Sequence, residues 1–212
     1  MRGLKGKNAI VTGAGSGIGR AIALRLGAEG VIVGVFDINP AGAAATVKAI
    51  EAEDGKGIAV GCDITDYAGV GSAVASFESE VGAGTDILVN NAGWDTPMPF
   101  LKTEEAFWKK VTAINWFGPL HMTHAVAKGM AERKSGRVDN IASHAGRVGS
   151  SGEVVYSGCK GATIAFSKAL AREVARSNVT INTVCPGPTD TPAMDAFVGT
   201  GGQGQKIRGA MV

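Results

Sequence analysis

The sequence has little cysteine, no surplus of charge of one sign and no long apolar run, and each shortage excludes a class of protein. Only three cysteines occur in 212 residues, Cys62, Cys159 and Cys185, and they lie far apart without CxxC spacing. This pattern supports neither a disulfide framework nor a zinc site, and it fits a reducing compartment. Lysine and arginine number 21 against 19 aspartates and glutamates, a formal net charge of +2. Such a balance gives no reason to expect a nucleic acid or an acidic membrane surface as partner.

Membrane-spanning and leader segments are also missing from the sequence pattern. The longest strongly apolar runs, such as residues 31–36, are far shorter than the roughly 18 residues that a helix needs to span a bilayer. The N-terminal residues pass from a short apolar stretch into a glycine-rich loop, without the apolar region and cleavage site of a signal peptide. We therefore expect a cytoplasmic protein without a membrane anchor.

Glycine is abundant, with 32 residues, but it follows neither a Gly-X-Y period nor a low-complexity tract. Short apolar runs instead alternate with longer segments of helical periodicity. The runs predict strands at residues 8–11, 31–36, 57–60, 87–89, 137–142 and 179–184, and the segments predict helices at residues 18–28, 41–52, 67–81, 104–133 and 156–176. This alternation indicates an α/β protein with a Rossmann-like, doubly wound parallel sheet in three layers, α/β/α. No repeat of fixed period occurs and no linker divides the chain before about residue 198, so we expect residues 1–212 to form one domain.

A glycine-rich loop at residues 12–20 follows the first predicted strand and precedes the first predicted helix. Its glycines allow the backbone to turn sharply and to approach a pyrophosphate, while the free N–H groups of the helix N-terminus face the anion. The position between a strand and a helix is the one that a dinucleotide-binding loop requires. The predicted cofactor-binding residues of this loop are Gly13, Ser16, Gly17, Ile18 and Gly19.

An aspartate marks the end of the second predicted strand. Asp37 lies 18 residues beyond Gly19, where a carboxylate accepts hydrogen bonds from the ribose hydroxyls and repels a 2′-phosphate. Neither Ser16 in the loop nor Ile38 after the acid supplies a cation for that phosphate. The sequence therefore predicts NAD in preference to NADP as cofactor.

A tyrosine and a lysine are placed for acid–base chemistry. Tyr156 and Lys160 are four residues apart in a predicted helix, so both side chains lie on the same face. A nearby ammonium lowers the pKa of a phenol from its ordinary value of about 10, so we expect Tyr156 to act as a general acid and base near neutral pH. Ser143 follows a predicted strand at the sheet edge where open α/β sheets hold ligands, and its hydroxyl is a candidate for contact with a substrate oxygen.

Taken in order, these motifs resemble those of the short-chain dehydrogenase/reductase family. The matching positions are Thr12-Gly13-x-x-x-Gly17-x-Gly19, Asn90-Asn91-Ala92-Gly93, Asn115, Ser143, Tyr156-x-x-x-Lys160 and Pro186-Gly187. The resemblance implies hydride transfer between the nicotinamide and a carbinol carbon. It implies that Tyr156 exchanges the proton, Ser143 orients the substrate oxygen, and Lys160 tunes Tyr156 and binds the nicotinamide ribose. It also implies that Asn115 holds a proton-relay water beside the lysine.

The resemblance further implies a wider set of residues around the cofactor and the substrate. The cofactor set adds Asp63, Ile64, Asn91, Ala92, Gly93, Pro186, Gly187, Thr189 and Thr191. Residues next to these motifs are candidates for the substrate pocket: Trp94, Asp95, His144, Arg147 and Met194. His121 and His124, three residues apart, are expected on a helix surface rather than in a metal site, because no carboxylate or cysteine cluster joins them.

Within the family, the stretches at residues 91–95, 120–126, 147–153 and 185–191 are most similar to dehydrogenases that act on 2-hydroxycyclohexanecarboxyl-CoA. We therefore expect a small-molecule substrate, a cyclic 2-hydroxyacyl-CoA or another β-hydroxy thioester, with Arg147 as a contact for the acyl-CoA. A 3-oxoacyl-thioester reductase is the alternative, although those enzymes usually carry a basic residue where this chain has Ser16. A truncated or inactive member that only binds cofactor remains a further alternative.

The C-terminal part and one strand depart from the family pattern. Members usually continue with more of the substrate lid, another helix and a further strand, so residues 190–212 are expected to form an incomplete lid or tail. The resemblance implies a homodimer or homotetramer through the helices at 104–133 and 156–176.

Asp139 stands where an aliphatic residue is usual in the family. An unpaired carboxylate in a buried strand would destabilise the fold, so we expect Asp139→Val to raise thermal stability.

Overall fold

A single parallel sheet forms the centre of the molecule. In the computed structural model, which describes residues 3–192 and 194, the strands are β1 Asn8–Thr12, β2 Ile32–Asp37, β3 Lys56–Gly61, β4 Ile87–Asn90, β5 Gly136–Ile141 and β6 Val179–Val184. They pair in the order β3-β2-β1-β4-β5-β6, all parallel. The strand order reverses between β1 and β4, and at such a switch point a crevice opens outside the carboxyl ends of the strands.

Seven α-helices connect the strands in the described part of the chain. They are α1 Gly17–Ala28, α2 Pro40–Glu51, α3 Tyr67–Val81, α4 Glu105–Thr112, α5 Gly118–Glu132, α6 Ala145–Val148 and α7 Val154–Val174. Local sequence explains where several of them begin and end. Asn39 accepts hydrogen bonds from the N–H groups of Ala41 and Gly42 at the start of α2, and Gly82 ends α3 with φ of 70°.

Helices pack on both faces of the sheet, and each face has its own core. On one face α1 and α2 cover Val11, Val33 and Val35, with Ile50 of α2 among them. On the other face α3, α5 and α7 cover a cluster that includes Phe36, Phe77, Leu88, Met122 and Val138. The predicted Rossmann-like, three-layer α/β/α fold is confirmed. None of the helices in the described range is long and apolar enough to cross a membrane.

The helix predicted at residues 104–133 is divided by a π-helical turn, Ala113–Phe117, between α4 and α5. Asn115 lies in this turn and is fully buried. Its Nδ2 donates to the Trp94 carbonyl at 2.6 Å and to the Val111 carbonyl at 3.0 Å. A one-residue change of helical register leaves the apolar pattern almost unaltered, so periodicity alone does not show it.

Asp139 is neither unpaired nor deeply buried, so the expectation of a costly carboxylate was wrong. Its side chain is half-buried, and its Oδ1 accepts a hydrogen bond from Asn182 Nδ2 at 3.2 Å. The two residues are register partners on β5 and β6. Arg137, Thr180 and Asn182, on the same sheet face, are exposed in the described structure. Asp139 therefore stands on a polar surface, and the reason for expecting Asp139→Val to stabilise the fold disappears.

Candidate active site

The glycine loop between β1 and α1 is shaped by close backbone contacts. Gly13 has φ of +61°, and a Cβ there would lie 2.9 Å from Ala92 Cα. A Cβ at Gly19 would collide with the Gly13 carbonyl and with Asn91 Nδ2. Any side chain at these two positions would clash with these neighbours, so the loop can adopt this shape only with glycine there.

The loop is held to the end of β4 through one threonine. Thr12 Oγ1 accepts hydrogen bonds from the backbone N–H groups of Asn91 and Ala92, both at 3.0 Å. Asn91 Nδ2 in turn donates to the Thr12 carbonyl at 2.9 Å. These bonds bring the Asn-Asn-Ala-Gly stretch of the sequence against the glycine loop.

Asp37 closes the other end of the loop. Its Oδ2 accepts a hydrogen bond from Gly15 N at 2.7 Å, and its Oδ1 accepts one from Asn39 N at 2.8 Å. The carboxylate is thereby fixed at the carboxyl end of β2, at the mouth of a large cavity. Ile38, beside it, is 70% exposed and also lines that cavity.

One cavity of about 870 Å³ runs along the carboxyl ends of the strands and joins most of the predicted site residues. The predicted cofactor-binding residues that line this cavity are Gly13, Ser16, Gly17, Ile18, Asp37, Ile38, Asp63, Ile64, Asn91, Ala92, Gly93, Tyr156, Lys160, Pro186, Gly187, Thr189 and Thr191. Gly19 lies directly behind the loop and is buried. The cavity therefore has the position and the walls that a dinucleotide needs.

Ser143, Tyr156 and Lys160 meet at the inner end of this cavity. Ser143 follows β5, and its side chain is hydrogen-bonded to Tyr156 in the first turn of α7. Lys160 lies one turn further along α7, with its Nζ 5.5 Å from the centre of the Tyr156 ring. The Lys160 Nζ donates to the Ile141 carbonyl at 2.9 Å, which anchors it against β5.

Close packing of α6 on α7 sets this arrangement. A Cβ at Gly146 would lie 2.6 Å from the backbone carbon of Lys160, so only glycine lets the two helices approach at this point. The short helix α6 was not predicted from the sequence. Its four residues are too few to show a periodic apolar pattern.

The pKa of Tyr156 is raised, whereas the sequence predicted that it would be lowered. Burial raises the pKa of the Tyr156 hydroxyl, the hydrogen bond to Ser143 lowers it, and the negative charges of Glu153 and Asp95 raise it. The prediction that Lys160 lowers this pKa was wrong for the protein alone. The reason is that burial of the Tyr156 hydroxyl is the largest effect on its pKa, and that Lys160 Nζ donates to the Ile141 carbonyl rather than to the phenol. Burial also lowers the pKa of Lys160 itself, to about 8.

Asn115 is turned toward the protein rather than toward open space. Besides the bonds of its Nδ2, its Oδ1 accepts from the Trp94 N–H at 3.3 Å. The side chain therefore ties the π turn to the segment after β4 and fixes the path of Gly93 and Trp94. The role predicted for Asn115, holding a water beside Lys160, stays a prediction.

Of the residues predicted for the substrate pocket, Trp94, Asp95, His144 and Met194 line the cavity. Arg147 is exposed on α6 and is not among the lining residues. Three residues that were not predicted from the sequence also line this cavity: Lys110, Ser150 and Glu153. Glu153 stands three residues before Tyr156, about one helical turn away, and that spacing was the available signal. The part of the chain expected as a lid beyond residue 194 lies outside the described residues.

The two histidines of α5 have partners within the protein. His121 Nδ1 lies 2.9 Å from the Ile64 carbonyl, and His124 Nδ1 lies 3.0 Å from the Tyr67 hydroxyl. Among the described residues no group of three or more histidine, cysteine, aspartate or glutamate side chains is placed to hold a metal ion.

The chain is similar in sequence to known proteins. A family model described as short chain dehydrogenase matches residues 7–199. A 3-oxoacyl-[acyl-carrier-protein] reductase of Vibrio harveyi is 38% identical over 194 residues, which are 92% of this chain and 78% of the relative. The subunit BbsD of (2S)-[(R)-hydroxy(phenyl)methyl]succinyl-CoA dehydrogenase of Thauera aromatica is 36% identical over 193 residues, 91% of this chain and 77% of the relative.

Solved structures agree with the sequence matches. A short-chain dehydrogenase/reductase from Burkholderia xenovorans superposes with a TM-score of 0.91 at 35% identity, over 98% of this chain and 82% of that one. Two further similar structures carry different cofactors. Xylitol dehydrogenase holds NAD+ (TM-score 0.85, 32% identity, 89% and 74% covered), and actinorhodin polyketide ketoreductase holds NADPH (TM-score 0.89, 34% identity, 97% and 82% covered). The chain therefore belongs to the short-chain dehydrogenase/reductase family, whose members are NAD(P)-dependent oxidoreductases acting on CH–OH groups.

Proposed function

We propose that this protein transfers hydride between NAD and a secondary alcohol or ketone, with Tyr156 as the general acid and base. One observation carries the proposal: the Tyr156 hydroxyl, the Ser143 hydroxyl and the Lys160 ammonium converge in the cavity that the glycine loop opens. A phenol between a hydroxyl and an ammonium is suited to exchanging a proton with a carbinol oxygen.

The residues around the loop fit a dinucleotide. The loop at residues 13–19 would hold the pyrophosphate at the N-terminus of α1, and Asp37 would supply a carboxylate for the ribose hydroxyls. Pro186, Gly187, Thr189 and Thr191 would flank the nicotinamide end. When bound, the nicotinamide supplies the acceptor or donor of the hydride. Because Asp37 repels a 2′-phosphate and neither Ser16 nor Ile38 offers a cation, we propose NAD rather than NADP.

The protein side chains handle the proton and the orientation of the substrate. In oxidation, Tyr156 takes the proton of the alcohol, and in reduction it returns a proton to the carbonyl oxygen. Ser143 donates a hydrogen bond to that oxygen and so sets the carbinol carbon toward the cofactor side of the cavity. Lys160 holds positive charge near the phenol ring and would donate to the ribose hydroxyls of a bound cofactor, and Asn115 keeps Trp94 and Gly93 in place.

For the substrate we propose a β-hydroxyacyl thioester, with a cyclic 2-hydroxyacyl-CoA as the preferred form. The names of two similar proteins support a thioester, since one acts on an acyl-carrier-protein ester and the other on a CoA ester. The Vibrio harveyi relative equally favours a second candidate, a 3-oxoacyl-thioester reductase.

We further propose a homodimer through α4, α5 and α7, since Trp108 of α4 and Phe117 of the π turn are 38% and 49% exposed.

The test compares substrates and cofactors in one assay. Purified protein is given 2-hydroxycyclohexanecarboxyl-CoA, 3-hydroxybutyryl-CoA and the two free acids, each with NAD and with NADP. We expect the cyclic thioester with NAD to give the highest kcat/KM, and Tyr156→Phe to abolish turnover. Equal kcat/KM for thioester and free acid would refute the thioester, and a preference for NADPH with acyclic 3-oxoacyl thioesters would favour the reductase.

A further inference from the structure

Two carboxylates beside Tyr156 have no part in the proton transfer described above. Asp95 lies in the segment after β4, and Glu153 immediately precedes α7. Both line the cavity together with Tyr156 and Ser143. The charges of both raise the pKa of Tyr156, after the larger effect of its burial. The two acids therefore stand around the place where the carbinol oxygen must bind.

The described structure provides no cation that neutralises this acidic pair. Lys110 and Lys160 are the lysines that line the cavity. Lys160 Nζ is bonded to the Ile141 carbonyl, and Lys110 Nζ lies 3.7 Å from the centre of the Trp94 ring. None of the ion pairs found among residues 3–192 and 194 includes Asp95 or Glu153.

Of the two acids, Asp95 is the one with a buried side-chain oxygen that lacks a hydrogen bond. Its Oδ2 is buried and has no hydrogen-bond partner. Burial raises the pKa of Asp95 to about 6, the Thr96 N–H lowers it, and the charge of Glu153 raises it. A carboxylate held in this way gains free energy when a donor reaches it, because leaving a buried acceptor unpaired is costly.

We propose that Asp95 and Glu153 are specificity-determining residues that accept hydrogen bonds from a second hydroxyl or an ammonium group next to the reacting carbinol carbon. The proposal rests on the proposed function, because it takes Tyr156 as the residue that contacts the carbinol oxygen. The same pair repels a free carboxylate at that position through like charge. A thioester carbonyl carries no net charge, so the pair disfavours the CoA ester of a hydroxy acid less than it disfavours the free acid.

A panel of ring alcohols separates these effects. Cyclohexanol, cyclohexane-1,2-diol, 2-aminocyclohexanol and 2-hydroxycyclohexanecarboxylate share one carbon skeleton and differ in the neighbouring group. With NAD and the wild-type protein, we expect kcat/KM for the diol or the amino alcohol to exceed that for cyclohexanol about tenfold, as one hydrogen bond to a charged acceptor gives. The carboxylate should fall below cyclohexanol. The diol and amino alcohol arms show which donor is preferred.

Variants test whether the two acids cause the selection. In Asp95→Asn combined with Glu153→Gln, the ratio of diol to cyclohexanol should fall toward one, and the carboxylate should improve relative to cyclohexanol. Glu51→Gln, which removes an exposed charge at the end of α2, is the matched control and should leave both ratios unchanged.

Two different failures are distinguishable. Turnover of all four alcohols without preference, or a preference that survives the double variant, overturns the role of the acidic pair and leaves the dehydrogenase in place. If the wild-type protein reduces NAD with none of the ring alcohols and with none of the CoA thioesters, the proposed function fails, and the role of the pair fails with it.

Discussion

Replacing Gly93 with alanine is the sharpest perturbation of the catalytic end of the cavity. A Cβ at this position would lie 2.9 Å from Asn115 Oδ1 and 3.5 Å from Lys160 Nζ. The first distance is shorter than side chains tolerate, and Asn115 is fully buried and held at 2.6 Å and 3.0 Å by the Trp94 and Val111 carbonyls. Because Asn115 is held by these two bonds, the methyl group must either break them or shift the local backbone, whereas 3.5 Å from Lys160 Nζ is an ordinary contact distance.

The expected size of the effect follows from this crowding. An added methylene in a well-packed site costs about 1–3 kcal/mol. At about 1.4 kcal/mol per factor of ten, a cost expressed entirely at the reacting centre lowers kcat/KM about five- to 150-fold. The backbone of Gly93 has no positive φ, so the loss would report the lost space and not backbone strain.

The assay measures kcat/KM for NAD reduction and the melting temperature of Gly93→Ala beside a matched control. Gly71→Ala is the control, because a Cβ there meets nothing within 4 Å in the middle of α3. We expect Gly71→Ala to keep its activity and to gain up to about 1 kcal/mol of stability. Wild-type activity and stability in Gly93→Ala would refute the reasoning, since the space between Asn115 and Lys160 would then have no function.

Three further variants test the cofactor, the acid–base group and the fold. Asp37→Asn should lower the ratio of NAD to NADP kcat/KM at least about tenfold, because it removes the charge that repels a 2′-phosphate; an unchanged ratio would contradict this role. Glu153→Gln should move the pH profile of alcohol oxidation to lower pH, because it removes a negative charge that raises the pKa of Tyr156 after burial; an unmoved profile would show that this charge does not act on Tyr156. Asp139→Val should change the melting temperature by no more than about 2–4 °C, since it removes one half-exposed hydrogen bond worth about 1 kcal/mol; a much larger rise would restore the buried-carboxylate interpretation.

The positions of the strands could be predicted well from the sequence, because each strand is marked by residues that are neighbours in the chain. Buried parallel strands appear as short apolar runs, and each of the six predicted runs overlaps an observed strand within two residues at its ends. The glycine loop was equally readable, since Gly13 and Gly19 are required by backbone geometry that any dinucleotide-binding turn of this type imposes.

Features that depend on contacts between distant segments were not predicted. The π turn at Asn115 depends on its bonds to Trp94, 21 residues earlier. The polar setting of Asp139 depends on Asn182 in a neighbouring strand, 43 residues later. The pKa of Tyr156 is raised because burial and the charges of Glu153 and Asp95 act together, and a Tyr-x-x-x-Lys spacing alone shows only the lysine.

In the proposed reaction, hydride moves between a carbinol carbon and NAD, and Tyr156 exchanges the proton. The most direct measurement uses 2-hydroxycyclohexanecarboxyl-CoA that is deuterated at the carbinol carbon, with mass analysis of the reduced cofactor. We expect one deuterium in the NADH formed by the wild-type protein and no reduced cofactor with Tyr156→Phe. NADH without deuterium, or undiminished deuterium transfer in Tyr156→Phe, would contradict it.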